Sequence, residues 1–310
     1  MAFDKKLVQL SKHIYFLPFS TNIGVIALDS ETTKKNIYLI ESGNDETQAD
    51  LIFQKISSFF PDFELKAVIN THSHADHCGG NNYFKRKTNC QIWASKGEGA
   101  LMECPTLETG LIWGGNPVQE LKTPYFVAEV CQVDRSFSNT DTFFIENLKI
   151  EVIPLDGHYI DQTGFLISDT DGKQVLFAGD ALSGRNVISR YWIQYLFDEK
   201  RTKESLMRLS KIKADYYVPG HGQIVEHIEG LVELNILALL ETENLILEEL
   251  KEPKTSEQVL KAVADRNGIN LKLSQYVLIG CTIRSYLSSL CDEGKIKYEI
   301  KDNTFFWSKV

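Results

Sequence analysis

The sequence predicts an α/β chain closed by a small winged-helix-like domain, and three observations carry that expectation. Over roughly the first 230 residues, apolar runs that suit buried strands alternate with stretches of helical periodicity. Four of those runs lead directly into segments bearing His or Asp, and the ends of strands are where rigid scaffolds display functional side chains. After about residue 230 the composition shifts to long helices and a final pair of alternating strands.

Residues 10–42 read as strands separated by turns, at 13–18, 23–28 and 36–42, the last followed by Gly43-Asn44. A helix is expected over 46–60, where Leu51, Ile52, Ile56, Phe59 and Phe60 recur at helical spacing. The apolar stretch 65–70 reads as a buried strand that runs into Thr71-His-Ser-His-Ala-Asp-His77, and the chain turns at Gly79-Gly80-Asn81 into another helix. Runs 150–157, 174–179 and 214–220 are expected to be strands ending at His158, Asp180 and His221. Residues 97–130 break the alternation, with Gly and Pro scattered among Met102, Leu111, Ile112, Trp113, Tyr125 and Phe126. This insertion reads equally as a lid or pocket wall and as a packed surface segment able to carry a dimer contact.

Beyond residue 230 the pattern gives a long helix over 231–250, a connection over 251–255, and a helix over 256–266 whose opening Ser256 is read as the N-cap. Two further helices are expected, near 273–280 and 281–292. A hairpin with its turn at Lys301-Asp302-Asn303 ends the chain. The domain division is therefore 1–230 and 231–310.

Five of the seven histidines fall in these motifs, leaving only His13 and His227 outside. A lone buried His or Asp ordinarily just finds a hydrogen bond; the joint pattern is what points to metal ligation. His72 and His74 occupy alternate positions of an extended segment and so point the same way, toward one ion. Asp76 and His77 follow where the backbone changes direction and so can face a neighbouring ion. Gly157, Gly179 and Gly220 each precede a candidate ligand, where the missing Cβ permits a sharp turn and close approach.

The series H-x-H-x-D-H, G-H, G-D and P-G-H, in this order, resembles the metallo-β-lactamase fold superfamily, in its lactamase-B-like and glyoxalase II-like branch of metal hydrolases. The resemblance implies a four-layer αβ/βα sandwich with metals at one edge of the sheets. It implies that His72, His74 and His158 hold one divalent ion, that Asp76, His77 and His221 hold a second, and that Asp180 bridges both. Zinc suits the nitrogen and carboxylate donors, and iron or manganese is compatible with them. In such a centre a bridging hydroxide attacks the substrate and Asp76 orients it and handles its proton.

Many antibiotic-hydrolysing members carry Cys or Ser at the position of Asp180, whereas glyoxalase II-like thioesterases, lactonases and RNA-processing members carry Asp. The third motif, Gly157-His-Tyr-Ile-Asp-Gln162, departs from the G-H-[TS]-x-G run of that branch, which leaves the pocket beyond His158 undefined. The winged-helix-like module stands where glyoxalase II has its helical region with basic glutathione contacts. Its pairing with the sandwich resembles the branch that includes a single-strand RNA endonuclease.

Net charge of -9, from 42 acids and 33 bases, argues against a general polyanion-binding surface. The N-terminus lacks the apolar core of a secretory signal. No run approaches the ~20 apolar residues needed to span a bilayer. Six scattered cysteines without a C-x-x-C pair read as free thiols of a reducing cytoplasm, and Cys78 as a small buried thiol beside the site. Arg190, Tyr191 and Tyr195, in the aromatic stretch 185–197, are candidates to reach substrate. The expected function is metal-dependent hydrolysis of an ester, thioester or lactone of a small metabolite, by a chain that could be a homodimer. The alternatives are an RNA or nucleotide phosphodiesterase, a metabolite-sensing DNA-binding regulator and a mono-iron persulfide dioxygenase.

Overall fold

The computed structural model describes residues 6–310. Seven strands make the first sheet in sequence order: β1 (Val8–Gln9), β2 (Ile14–Leu17), β3 (Ile23–Asp29), β4 (Lys35–Ile40), β5 (Phe63–Ile69), β6 (Gln91–Ser95) and β7 (Arg135–Phe137). β1 to β4 form an antiparallel meander, and β4 to β7 run parallel. The parallel steps cross over through helices, as parallel pairing requires: α1 (Glu46–Phe59), then α2 (Ala75–Cys78) with α3 (Asn81–Thr88), then α4 (Lys96–Glu103) with α5 (Thr106–Trp113).

The second sheet has the order β12-β11-β10-β9-β8, built from β8 (Thr142–Ile145), β9 (Leu148–Pro154), β10 (Thr163–Ser168), β11 (Gln174–Ser183) and β12 (Tyr216–His221). Only the β11–β12 pair in it is parallel, joined through α6 (Arg185–Arg190) and α7 (Glu199–Leu209). The chain closes with α8 (Glu229–Glu249), α9 (Ser256–Arg266), α10 (Leu273–Asp292) and the hairpin β13 (Ile296–Lys301) and β14 (Thr304–Lys309).

Strand alternation sorts the layers. Ile26 and Leu28 of β3 face the second sheet and pack with Ile150, Phe165 and Phe177, while Val25 and Ala27 face outward onto Ile52 and Ile56 of α1 and Phe84 of α3. On the other side, Leu166, Leu176 and Ala178 meet Leu206 and Leu209 of α7 and Leu231 and Val232 of α8. The result is the four-layer αβ/βα sandwich. The two sheets are tied at one edge, where the Asn22 N–H donates to Gly220 O at 2.8 Å and the Thr163 N–H to Thr71 O at 3.0 Å.

Three local expectations change. Residues 273–292 form one helix where two were expected, because Val277, Ile283, Tyr286, Leu287 and Leu290 make a single buried stripe that continues through Gly280. A mid-helix glycine costs roughly 1 kcal/mol against alanine, and packing of that stripe offsets it. The N-cap of α9 is Thr255, whose hydroxyl accepts from the Gln258 N–H while Gln258 answers to the Thr255 N–H; Ser256 is already helical. Asp180 lies inside β11, at a register shift, where the strand was expected to have ended.

The β13–β14 turn at Asp302-Asn303 is as expected, both residues taking left-handed φ of 49° and 59°. The division at residue 230 falls within α8, whose first turns pack on the sandwich through Leu231 and Val232 and whose last turns pack through Ile246 among α9 and α10.

A polar seam reinforces this junction. Glu243 of α8 accepts from Lys203 of α7 at 2.5 Å and from Lys295, just before β13, at 2.6 Å. Burial alone would raise the Glu243 carboxyl, but its two ammonium partners hold it below the ordinary range. A depressed folded-state pKa gives stability that is complete above the unfolded value and lost as pH falls through the folded one. Glu243→Gln is therefore expected to lower unfolding stability by about 1–3 kcal/mol near neutral pH. The gap should shrink as pH drops below roughly 4.3, and a gap that stays constant into acid would show that ion pairing is not its source.

Candidate metal centre

All seven predicted ligands converge at the edge where the sheets are tied. Following β5, His72 and His74 turn their rings to one point, with His72 Nε2 and His74 Nδ1 3.0 Å apart. His158, from the loop after β9, brings its Nε2 within 3.0 Å of the same His74 Nδ1. One turn further, on α2, Asp76 and His77 face the other way and meet His221 at the end of β12. His221 Nε2 lies 3.1 Å from Asp76 Oδ2 and 3.4 Å from His77 Nε2. Asp180 stands between the two groups, Oδ1 at 3.3 Å from His77 Nε2 and Oδ2 at 3.6 Å from His158 Nε2 and 3.3 Å from His221 Nε2.

Glycine is required twice around Asp180. Gly179 takes a left-handed φ of 53° immediately before Asp180. Gly220 has an ordinary φ, but a Cβ there would collide with Asp180 Oδ1.

Three of the outward-facing ring nitrogens have a neighbour that fixes their direction, an arrangement characteristic of metal-binding imidazoles. His72 Nδ1 meets Thr71 Oγ1 at 3.0 Å, His158 Nδ1 meets Tyr195 O at 3.1 Å, and His221 Nδ1 meets Ser20 O at 2.6 Å. Glu41 lies 3.3 Å from His77 Nδ1 and accepts from the Thr71 N–H at 3.2 Å and from the Thr71 hydroxyl. It holds a left-handed φ of 69°, a strained backbone of the kind that gathers at functional sites. Glu98 of α4 accepts from the Ser73 N–H at 2.9 Å, its hydroxyl at 2.7 Å and the Asp161 N–H at 2.8 Å, so one buried carboxylate joins the two histidine loops. Burial pushes Glu98 up to about 7 against those donors.

Sequence reasoning missed Glu41, Thr71, Glu98 and Glu108. An acid that ends a buried strand, as Glu41 does, was the one available signal; nothing in periodicity separates Glu98 or Glu108 from solvated helix residues. Beyond His158, Tyr159 is fully buried with its ring 4.4 Å from that of His74. Cys78 is buried and its thiol donates to Ser73 O. Of the aromatic-stretch candidates, Tyr195 packs on His74 and His158. Tyr191 and Arg190 are exposed and stack on each other.

The donor set fits cations. A tetrahedral ion at about 2.0–2.1 Å from imidazole nitrogens holds neighbouring nitrogens roughly 3.3 Å apart, close to the separations seen. Burial strips charge from His72, His158 and His74, the last pushed down to about 3, so three neutral lone pairs converge. In the second group burial opposes charge, yet Asp180, Asp76 and Glu41 lift His77 to about 10, and Asp180 and Asp76 raise His221. Asp76 and Asp180 sit below the usual carboxylate range, because the two imidazoliums outweigh burial.

Without an ion, then, the second group is a carboxylate–imidazolium cluster that must give up protons to take a cation. Zinc uptake there should release protons and tighten as pH rises through neutrality, while uptake by His72, His74 and His158 should be nearly proton-neutral. Calorimetry in two buffers of different ionisation enthalpy reads the difference; equal proton release from both groups would contradict it. Gly220→Ala should displace Asp180 and reduce metal content much as Asp180→Ala does, and unchanged zinc affinity in Gly220→Ala would show that the close approach is dispensable.

Comparison with known proteins follows this geometry. The family model of the metallo-beta-lactamase superfamily matches residues 17–221, ending on the last of the converging histidines. A hydroxyacylglutathione hydrolase, GloC, of Haemophilus influenzae is 25% identical over 175 residues, 55% of this chain and 74% of its own length. An atrochrysone carboxyl ACP thioesterase of a Cryptosporiopsis species is 18% identical over 261 residues, 80% and 69% of the two chains. Among solved structures, a beta-lactamase domain protein from Burkholderia ambifaria superposes with a TM-score of 0.73 at 19% identity, covering 98% of this chain and 93% of the other. A metallo-beta-lactamase family protein from Thermus thermophilus gives 0.73 at 16% identity, covering 97% and 100%. The order of the motifs, the four layers and the match over two sheets place this chain in the metallo-beta-lactamase superfamily.

Proposed function

We propose that the chain is a binuclear metal-dependent hydrolase that cleaves an ester, thioester or lactone of a small metabolite. The observation that carries this reading is the pair of ligand groups joined by Asp180, the second of which opens to solvent. In the second group the side chains of Asp76 and His221 are 32% and 25% exposed with His77 buried, against 0%, 13% and 11% for His72, His74 and His158, so a substrate meets the Asp76 side first. When bound, two divalent ions, zinc by donor type, supply Lewis acidity at the scissile group and an acidified water. Asp76 orients that water and takes its proton, and Thr21, whose hydroxyl is 3.5 Å from Asp76 Oδ2, steadies the carboxylate.

Several features favour an acyl substrate over a nucleic acid. The basic run of α3 is neutralised, with Lys85 paired to Asp134, Arg86 to Glu46 and Glu129, and Lys87 to Asp50. It therefore offers little free charge to a phosphate backbone. Tyr125 and Tyr191 are exposed, and Tyr125 is near enough to Asp76 and His221 to feel their charge. The two curated relatives are named for thioester-type substrates. Residues 281–292, which would read DNA in a regulator, belong to α10, whose Thr282 and Ser285 are engaged with the sandwich.

Metal analysis should find about two ions per chain. His74→Ala should lose one of them and Asp180→Ala should weaken both, with activity falling further than stability. A panel of thioesters, lactones, esters, single-stranded RNA and duplex DNA then tests the chemistry. Metal-dependent turnover of an acyl substrate is expected to lead the panel. RNA cleavage faster than every acyl rate and abolished by Asp76→Asn would replace this reading with a phosphodiesterase, and salt-sensitive binding to duplex DNA without turnover would replace it with a regulator.

A further inference from the structure

Two features behind the first ligand group are unexplained by the hydrolase reading. The outer nitrogen of His74, Nε2, is buried without a hydrogen-bond partner, and the hydroxyl of Tyr159 beside it is likewise unpaired. The acidic side chain facing that nitrogen is Glu108, its Oε1 3.8 Å away and its side chain only 5% exposed, with burial pushing its carboxyl well above the ordinary range. Glu108 stands on α5, in the insertion, and α5 is held through Ile112 against Val277 of α10.

The same helix reaches His158 by a different route. The hydroxyl of Thr282 on α10 accepts from the Leu196 N–H at 3.1 Å and donates to Gln194 O at 3.1 Å. One side chain thereby clamps both sides of Tyr195, and Tyr195 O is the acceptor that directs His158 Nδ1 at 3.1 Å. The clamped segment is also bonded back to the histidine loop, the Phe197 N–H donating to Gly157 O at 3.0 Å.

We propose that α10 is a working part of the metal centre: Thr282 and Glu108 are positioning residues that aim His158 and His74 at the first ion. The inference rests on the metal-binding reading above. Glu108 is the polar group that faces His74 Nε2, and at 3.8 Å, beyond a hydrogen bond, it favours the tautomer with the proton on Nε2 and the lone pair on Nδ1. Partners of this kind, one step behind the ligands, commonly govern metal affinity by roughly 10–100-fold. α10 is then tied to the direction of the His158 imidazole through Thr282 and, by way of α5, to that of His74.

The test is zinc affinity of the full-length chain by competition with a chromophoric chelator, alongside unfolding stability and nitrogen NMR of the histidine side chains. Thr282→Val, which keeps shape and loses the hydroxyl, should weaken zinc binding at the first group roughly 10–100-fold, and Thr282→Ser should restore it. Glu108→Leu should weaken it similarly and shift the His74 proton from Nε2 toward a mixture of tautomers, while Glu108→Gln should retain most of the affinity. Leu290→Ala, in the core of the same module and away from the clamp, should cost stability and leave zinc affinity unchanged. Wild-type affinity in both Thr282→Val and Glu108→Leu would overturn the inference, as would a loss in Leu290→Ala equal to that in Thr282→Val. A wild-type chain that takes up no zinc would overturn the metal reading itself, and this inference with it.

Discussion

The structure depends on holding Asp180, its side chain only 14% exposed, between two groups of imidazoles. A carboxylate out of water is costly unless it is paired, and here His77, His158 and His221 all lie within 3.6 Å of its oxygens. That requirement sets the local fold. β11 breaks register to bring Asp180 to the edge, Gly179 takes a left-handed turn before it, and Gly220 omits the side chain that would fill its place. The parallel β11–β12 pair then delivers His221 beside it. Both sheets, which share an apolar core and a few polar ties such as His13 with Asp169 and Asn36 with Glu146, are committed to one polar site.

The two ligand groups differ in charge because they differ in neighbours. His72, His74 and His158 are surrounded mainly by one another and by burial, so they stay neutral. His77 and His221 face carboxylates and stay charged until a cation displaces their protons. The first group is thus preorganised for an ion and the less exposed of the two, and the second is adjustable and, at Asp76 and His221, more open to solvent. A hydrolytic site needs that asymmetry, with one rigid anchor and one face where water and substrate meet.

Much of this was legible in the sequence because ligands sit where strand periodicity ends. Alternation predicted that His72 and His74 would share a target, and the change of direction predicted that Asp76 and His77 would not. The order of the motifs pointed to the sandwich. What was illegible came from tertiary packing. Glu98 and Glu108 look like solvated helix acids until α4 and α5 fold down on the histidine loops. The split of 273–292 into two helices over-weighted Gly280, because the stripe that keeps the helix whole is visible only once its neighbours are known. The Thr282 clamp joins residues 86 positions apart and leaves no local mark.

The central claim, two ions flanking Asp180, is tested most directly by anomalous diffraction at the zinc edge from crystals of the full-length protein grown with zinc. The account predicts two peaks, one among His72, His74 and His158 and one among Asp76, His77 and His221, with the Asp180 carboxylate touching both. A single peak, or peaks only at surface carboxylates, would contradict it.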